Sequence, residues 1–144
     1  MTDELHAEHE LATARLVERL ATLVGEAASI ESTSHGYYVE PRNPEALKLF
    51  ISTDQSLLVQ GGHLGGSWEL NYDSYEDMQL AWDIVSAVVA GRVQERFGRR
   101  RSVVTITRED GSTKSETGFD GLLALLPQPG WKSSGRLVQY DPYC

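Results

Sequence analysis

The side chains that carry chemistry are scattered along this chain, and few stand close enough in sequence to act together. Gly61-Gly62-His63-Leu64-Gly65-Gly66 is the stretch richest in glycine. A phosphate cradle needs consecutive amides at a helix N-terminus, usually with a lysine that reaches the phosphates. This stretch joins two strand-like segments and no Gly-Lys-Ser/Thr follows it, so it reads as a hairpin or bulge connection. His6, His9 and Glu10 share a helical face, because offsets of three and four residues are neighbours. Zinc needs three or four ligands with a supporting shell, and no second His/Cys cluster accompanies these. They read as a solvated helix start. The only thiol is Cys144, the last residue, where a tuned nucleophile pocket is hard to build. No Gly-x-Ser-x-Gly elbow occurs. The chain is therefore expected to be non-catalytic, with no cofactor and no metal.

Two groups of residues point instead to binding. Asp73, Glu76 and Asp77 bunch carboxylates at the start of a helix, where they complement its positive end. Acid/base work would require one of them to be desolvated. Near the other end, Trp131, Arg136 and Tyr140, with Lys132 and Tyr143, are of the types that anchor protein interfaces. The same residues can also close a sheet. The expected partner-binding set is Asp73, Glu76, Asp77, Trp131, Arg136 and Tyr140. Five arginines (Arg92, Arg96, Arg99, Arg100 and Arg101) form the one basic patch. They read either as a binding surface or as internal partners for a helix end and the acidic first helix. An alternative site is a ligand or enzyme pocket around His63 and Trp68.

The elements that must position these residues are legible in the hydrophobic periodicity. A helix is expected over 3–24, where Leu5, Ala12, Leu16, Leu20 and Leu23 recur at helical spacing. Tyr37-Tyr38-Val39, the alternating Leu47/Leu49/Ile51, Leu57 to Gln60 and the Trp68/Leu70/Tyr72 alternation read as strands. Ser74 opens a second helix, read over 75–97 with the stripe Met78, Trp82, Val85, Val89, Val93 and Phe97. Ser102 to Arg108 and Thr113 to Thr117 flank the hairpin signal Asp110-Gly111. Phe119, Leu122, Leu123 and Leu126 suggest a short helix, and 135–140 a last strand. Together these predict one α+β domain over 1–144. Its antiparallel sheet would have about five to seven strands, packed by a long N-terminal helix, a long central helix and a short C-terminal one. Its core would be Leu49, Ile51, Trp68, Leu70, Trp82, Val85, Val89, Val104 and Ile106.

Charge narrows the partner. The net charge is −8 over 144 residues. Residues 1–40 hold eight acids against Arg15 and Arg19, and only 91–101 reverse the sign. Such a surface repels phosphate backbones and attracts a basic protein. No apolar run approaches the ~20 residues of a membrane span. With no signal-like start and no possible internal disulfide, the cytoplasm is the expected location.

Several stretches together resemble a known family. They are Gly65-Gly66-Ser67-Trp68-Glu69-Leu70, the valine-rich helix ending Val89-Ala90-Gly91-Arg92-Val93, and Val103 to Arg108 with Asp110-Gly111-Ser112-Thr113. The last is the close from Pro129-Gly130-Trp131 to Val138-Gln139-Tyr140-Asp141-Pro142-Tyr143. Over about residues 37–143 the chain resembles small actinobacterial proteins encoded beside polymorphic toxins, the immunity type. The resemblance implies an inhibitor that occludes or locks a cognate toxin, often a basic nuclease, and acts as a monomer or homodimer. The order of elements also suits a small acidic secretion chaperone, which would dimerise. Protein purified without tags should carry no stoichiometric zinc, iron or manganese by elemental analysis. One equivalent of zinc lost on His6→Ala or His9→Ala would overturn that expectation.

Overall fold

The structure, a computed structural model, describes residues 2–53, 56–122 and 126–144, with side chains from residue 7 onward. The first helix, α1 (Thr2–Val24), turns Thr13, Leu16, Leu20 and Val24 inward. Leu23, expected on that stripe, faces outward instead. A 3-10 turn, Gly25–Ala27, leads into a meander of five strands. These are β1 (Ala28–Ser32), β2 (Gly36–Pro41), β3 (Leu49–Ser52), β4 (Leu57–Gln60) and β5 (Ser67–Leu70). Each pairs antiparallel with the next, with Val39 opposite Leu49 and Ile51 opposite Val59. Alternation sends Val39, Leu49, Ile51, Leu57, Val59, Trp68 and Leu70 to one buried face.

The second helix, α2 (Tyr75–Val89), begins as its sequence predicts, with the Ser74 hydroxyl accepting from the Asp77 amide at 3.1 Å. It ends eight residues earlier than 97, and the next segment is a strand, β6 (Val93–Gly98). The stop is a Schellman closure: the Arg92 amide donates to the Ala87 carbonyl and the Gly91 amide to the Val88 carbonyl. Gly91 sits there at φ 78°, and a Cβ on it would lie 2.6 Å from the Pro142 nitrogen. Val93 and Phe97 satisfy both a helical spacing and the alternation of a strand, so periodicity alone misassigns them. The buried side of α2 is also turned from the expected stripe. Ala81, Ile84, Val85, Ala87, Val88 and Val89 face inward, and Trp82 is only partly buried. The small alanines let this helix approach both sheets closely.

After β6, strands β7 (Arg101–Thr107) and β8 (Thr113–Phe119) form the Asp110-Gly111 hairpin, and β9 (Arg136–Gln139) adds to the far side of β6. The second sheet therefore runs β8-β7-β6-β9, also antiparallel. The α+β class holds. The strands, however, divide into sheets of five and four, because α2 intervenes between β5 and β6 and contacts both sheets. No helix starts at Phe119, which ends β8; Leu122 and Leu126 are exposed, and 123–125 lie outside the described residues. The short C-terminal helix is α3 (Trp131–Ser134). Both sheets and both long helices share one core, from Leu16 and Leu20 through Ile51, Val59 and Ile84 to Val104 and Ile106.

Ile84 is fully buried where the helix meets the sheets. Ile84→Ala should cost about 2–5 kcal/mol in urea unfolding. Trp82→Ala should cost clearly less, because part of that ring already meets water. Equal losses would place Trp82 in the core after all.

Candidate functional site

The glycine-rich segment does hold an anion, and the anion belongs to the protein. Alternation along β6 turns Glu95 inward, opposite Val104, and its carboxylate is fully buried. Its Oε2 accepts the His63 amide at 2.8 Å and the Ser102 hydroxyl at 2.6 Å. Its Oε1 accepts the Tyr140 hydroxyl at 2.6 Å. Ser102 Oγ in turn accepts the amides of Leu64 and Gly65 at 3.1 and 2.6 Å. Three consecutive amides thus converge as in a phosphate loop, but onto Glu95 and Ser102. Glycine is required because the loop lies against the second sheet. A Cβ at Gly65 would come within 2.6 Å of the Ser102 and Glu116 carbonyl oxygens, and one at Gly66 within 1.8 Å of Gly61 O. Burial, and then Glu95 itself, holds the Tyr140 phenol well above its ordinary pKa, so this donor keeps its proton. Burial raises Tyr143 likewise, and its hydroxyl donates to the Leu47 carbonyl at 2.7 Å.

Outside this lock, a cleft of about 320 Å³ is lined by Ala46, Leu47, Lys48, Gly62, His63 and Tyr140. Trp68 does not line it; its ring is buried in the core. His63 and Trp68 thus do not share that cleft.

The carboxylates at the start of α2 have a different setting. Asp77 Oδ2 accepts the Asn71 amide at 2.8 Å, and Asn71 Oδ1 accepts the Asp73 amide at 2.9 Å, which fixes the turn into the helix. Glu69 accepts the Ser56 hydroxyl at 3.1 Å. Glu69, Asp77, Ser56, Asn71, Tyr72 and His9 are among the residues lining a cleft of about 250 Å³. Its far wall is a stack of the His9 and Tyr72 rings, centroids 4.1 Å apart and 13° from parallel. The Thr13 hydroxyl donates to the His9 carbonyl at 3.0 Å, so the 2.9 Å contact between Thr13 and Tyr72 has the tyrosine as donor. Burial raises the Tyr72 pKa. The buried His9 Nε2 has no hydrogen-bond partner among the described residues. Asp73 and Glu76 stay exposed on either side of Tyr75, itself 84% exposed. Glu69 continues this surface onto the outward face of the first sheet. It pairs across strands with Leu58, and on the same face the Phe50 and Tyr38 rings pack with centroids 4.5 Å apart, tilted by 34°. Glu31 and Glu40 are exposed on that same face.

The structure does not join the two halves of the expected binding set. Asp73, Glu76 and Asp77 stand at the start of α2, Asp73 in the turn that precedes it, whereas Trp131, Arg136 and Tyr140 flank β6 in the second sheet. Trp131 is buried, packed where a Cβ on Gly98 would lie 2.8 Å from its ring. Tyr140 is committed to Glu95. Arg136 is exposed, with its guanidinium 4.6 Å from the Phe97 ring centroid. The aromatic residue that does accompany the acidic cluster is Tyr75. Its sequence signal was its place inside the cluster and off the apolar stripe. The arginine patch is mainly internal, though its partners are carbonyl oxygens. Arg92 donates to Thr107, Arg96 to Ser133 and Gly135, and Arg101 to Arg99 and Leu126.

Among the described residues no group of three or more His, Cys, Asp or Glu side chains is placed to hold a metal ion. None of the described helices is long and apolar enough to cross a membrane. Compared with protein-family models, curated proteins and solved structures, the chain matches none.

The lock gives a pH test. Tyr140 has a raised folded pKa, so its contribution is fully present below the unfolded tyrosine value of about 10 and is lost as pH rises through the folded value. Tyr140→Phe should therefore destabilise the protein at pH 7, and its deficit against the parent should shrink progressively above about pH 10. A deficit independent of pH would separate Tyr140 from Glu95. The comparison is made by urea unfolding at each pH.

Proposed function

We propose that this chain is a non-catalytic binding module for a basic protein, acting as an immunity protein that neutralises a cognate toxin. The observation that carries the reading is the acidic surface at the start of α2. There the exposed Tyr75 ring stands between Asp73 and Glu76, beside a cleft flanked by Glu69 and Asp77. An exposed aromatic with a charged surround is the composition of an interface anchor. The cleft, at about 250 Å³, is smaller than the sites that hold drug-sized ligands, which begin near ~300 Å³. It suits one lysine or arginine side chain, whose charge Glu69 and Asp77 would meet and whose stem the Tyr72 ring would cover. The net charge of −8 would speed encounter with a basic partner. The family resemblance supplies the identity of that partner as a toxin.

The test is to capture the partner from the native host and measure both binding rates. Glu76→Lys should slow association, with the difference fading as salt rises. Tyr75→Ala should speed dissociation, with a loss of affinity of about 2 kcal/mol or more. A tightly held small molecule, with no protein captured, would replace this reading with the ligand-binding one.

A further inference from the structure

Taking the chain as a module for a basic protein, on which this inference rests, we infer that the outward face of the first sheet is part of the same binding surface. It receives a basic, amphipathic segment of the partner, laid across the strands. Alternation puts Tyr38, Phe50 and Leu58 on this face, behind the buried Val39, Leu49, Ile51, Leu57 and Val59. Tyr38 stands directly across from Phe50, and Leu58 is on the next strand, paired with Ser52. The three form a diagonal apolar strip over β2, β3 and β4, with Tyr38 53% exposed at one end. Leu16, Leu20 and Ile84 of the long helices join the core on the opposite face, which leaves the strip open to solvent. A sheet face turned to water ordinarily carries polar side chains at such positions.

Charge selects the occupant. Strands β1 to β5 carry Glu31, Glu40 and Glu69 and no lysine or arginine, and all three acids are exposed on this face. Glu31 stands directly across from Tyr38 at the β1 edge, and Glu69 directly across from Leu58 on β5. They bracket the strip at four strand spacings, about 19 Å across the sheet. Lys48, just before β3, is held by Glu40 at 3.2 Å. A second copy of this chain would set acids against acids here, and nucleic acid or an anionic membrane would be repelled in the same way. A segment with bases at either end of an apolar stretch satisfies both the strip and its rim; as a helix it spans about 13 residues. An apolar centre with a charged rim is also where interfaces gain their affinity. Glu69 lines the acidic cleft as well, so the strip continues without a break into the surface around Tyr75.

The test uses the full chain and the basic protein it captures from the native host, purified. Tyr38→Ala and Leu58→Ala should each raise the dissociation constant by about tenfold or more, mainly through faster release. A melting curve for each confirms that it is folded at the assay temperature. Glu31→Lys should slow association. A gain is expected too: Lys48→Glu should speed association more than Lys114→Glu, which changes the net charge equally but lies on β8 of the second sheet. Parental binding by Tyr38→Ala and Leu58→Ala, or equal gains from the two lysine variants, would overturn the inference. If Tyr75→Ala weakens binding in the same assay while the sheet variants do not, the binding reading stands without it. Capture of no basic protein removes both. A parent that dimerises in sedimentation velocity, and that Tyr38→Ala makes monomeric, would put a second copy on this face and also overturn the inference.

Discussion

A carboxylate removed from water must have its oxygens met by donors, or its burial works against folding. Glu95 meets this condition with three donors from three separate parts of the chain: the His63 amide, the Ser102 hydroxyl and the Tyr140 hydroxyl. The loop after β4, the neighbouring strand and the segment after β9 are therefore held to a single point. The two sheets do not share a continuous ladder; they meet through this loop, where the Gly66 amide also donates to the Glu116 carbonyl at 3.2 Å. Any displacement of one sheet against the other would strip a donor from the buried charge. The hydrophobic core supplies adhesion, but it is compatible with many small slides. The buried network is what selects one of them.

Charge on this molecule is sorted rather than averaged. The arginines around β6 and β7 give their donors to carbonyl oxygens at strand ends and in the turn before α3. Asp83 and Arg108 form a partly buried pair at 3.4 Å. These guanidinium groups keep their charge, so the negative surface offered to a basic partner is a local one, at the start of α2 and on the first sheet's outward face, where Asp73, Glu76 and Glu31 are exposed.

How much of this was legible depends on the range of the interactions involved. Local chemistry was readable: the Ser74 cap, the Asp110-Gly111 turn, and the alternation of Leu49 and Ile51 all depend on neighbours within a few residues. Leu49, Ile51, Trp68, Leu70, Val85, Val89, Val104 and Ile106 are buried as expected. The end of α2 was not readable, because Val93 and Phe97 fit two periods and the competing strand needs partners far along the chain. Glu95 was hidden for the same reason, its partners lying 32, 7 and 45 positions away. Trp131 and Tyr140 have side chains that serve equally inside and at interfaces, and residue type cannot choose between the two. Tyr75 could have been singled out as an aromatic on the polar side of a capped helix start.

The clasp formed by 136–143 bears on the order in which the molecule can be made. Among the described strands β9 pairs with β6 alone, Tyr140 supplies a donor to Glu95, and Tyr143 fastens to the Leu47 carbonyl and to Val89. A ribosome delivers all the surfaces that this segment joins before it delivers the segment itself. During that interval the nascent chain has its first sheet and α2 in hand, while Glu95 lacks one hydrogen bond and β6 has an open edge. Until 136–143 is in place, the open edge of β6 is a strand that other chains can pair with.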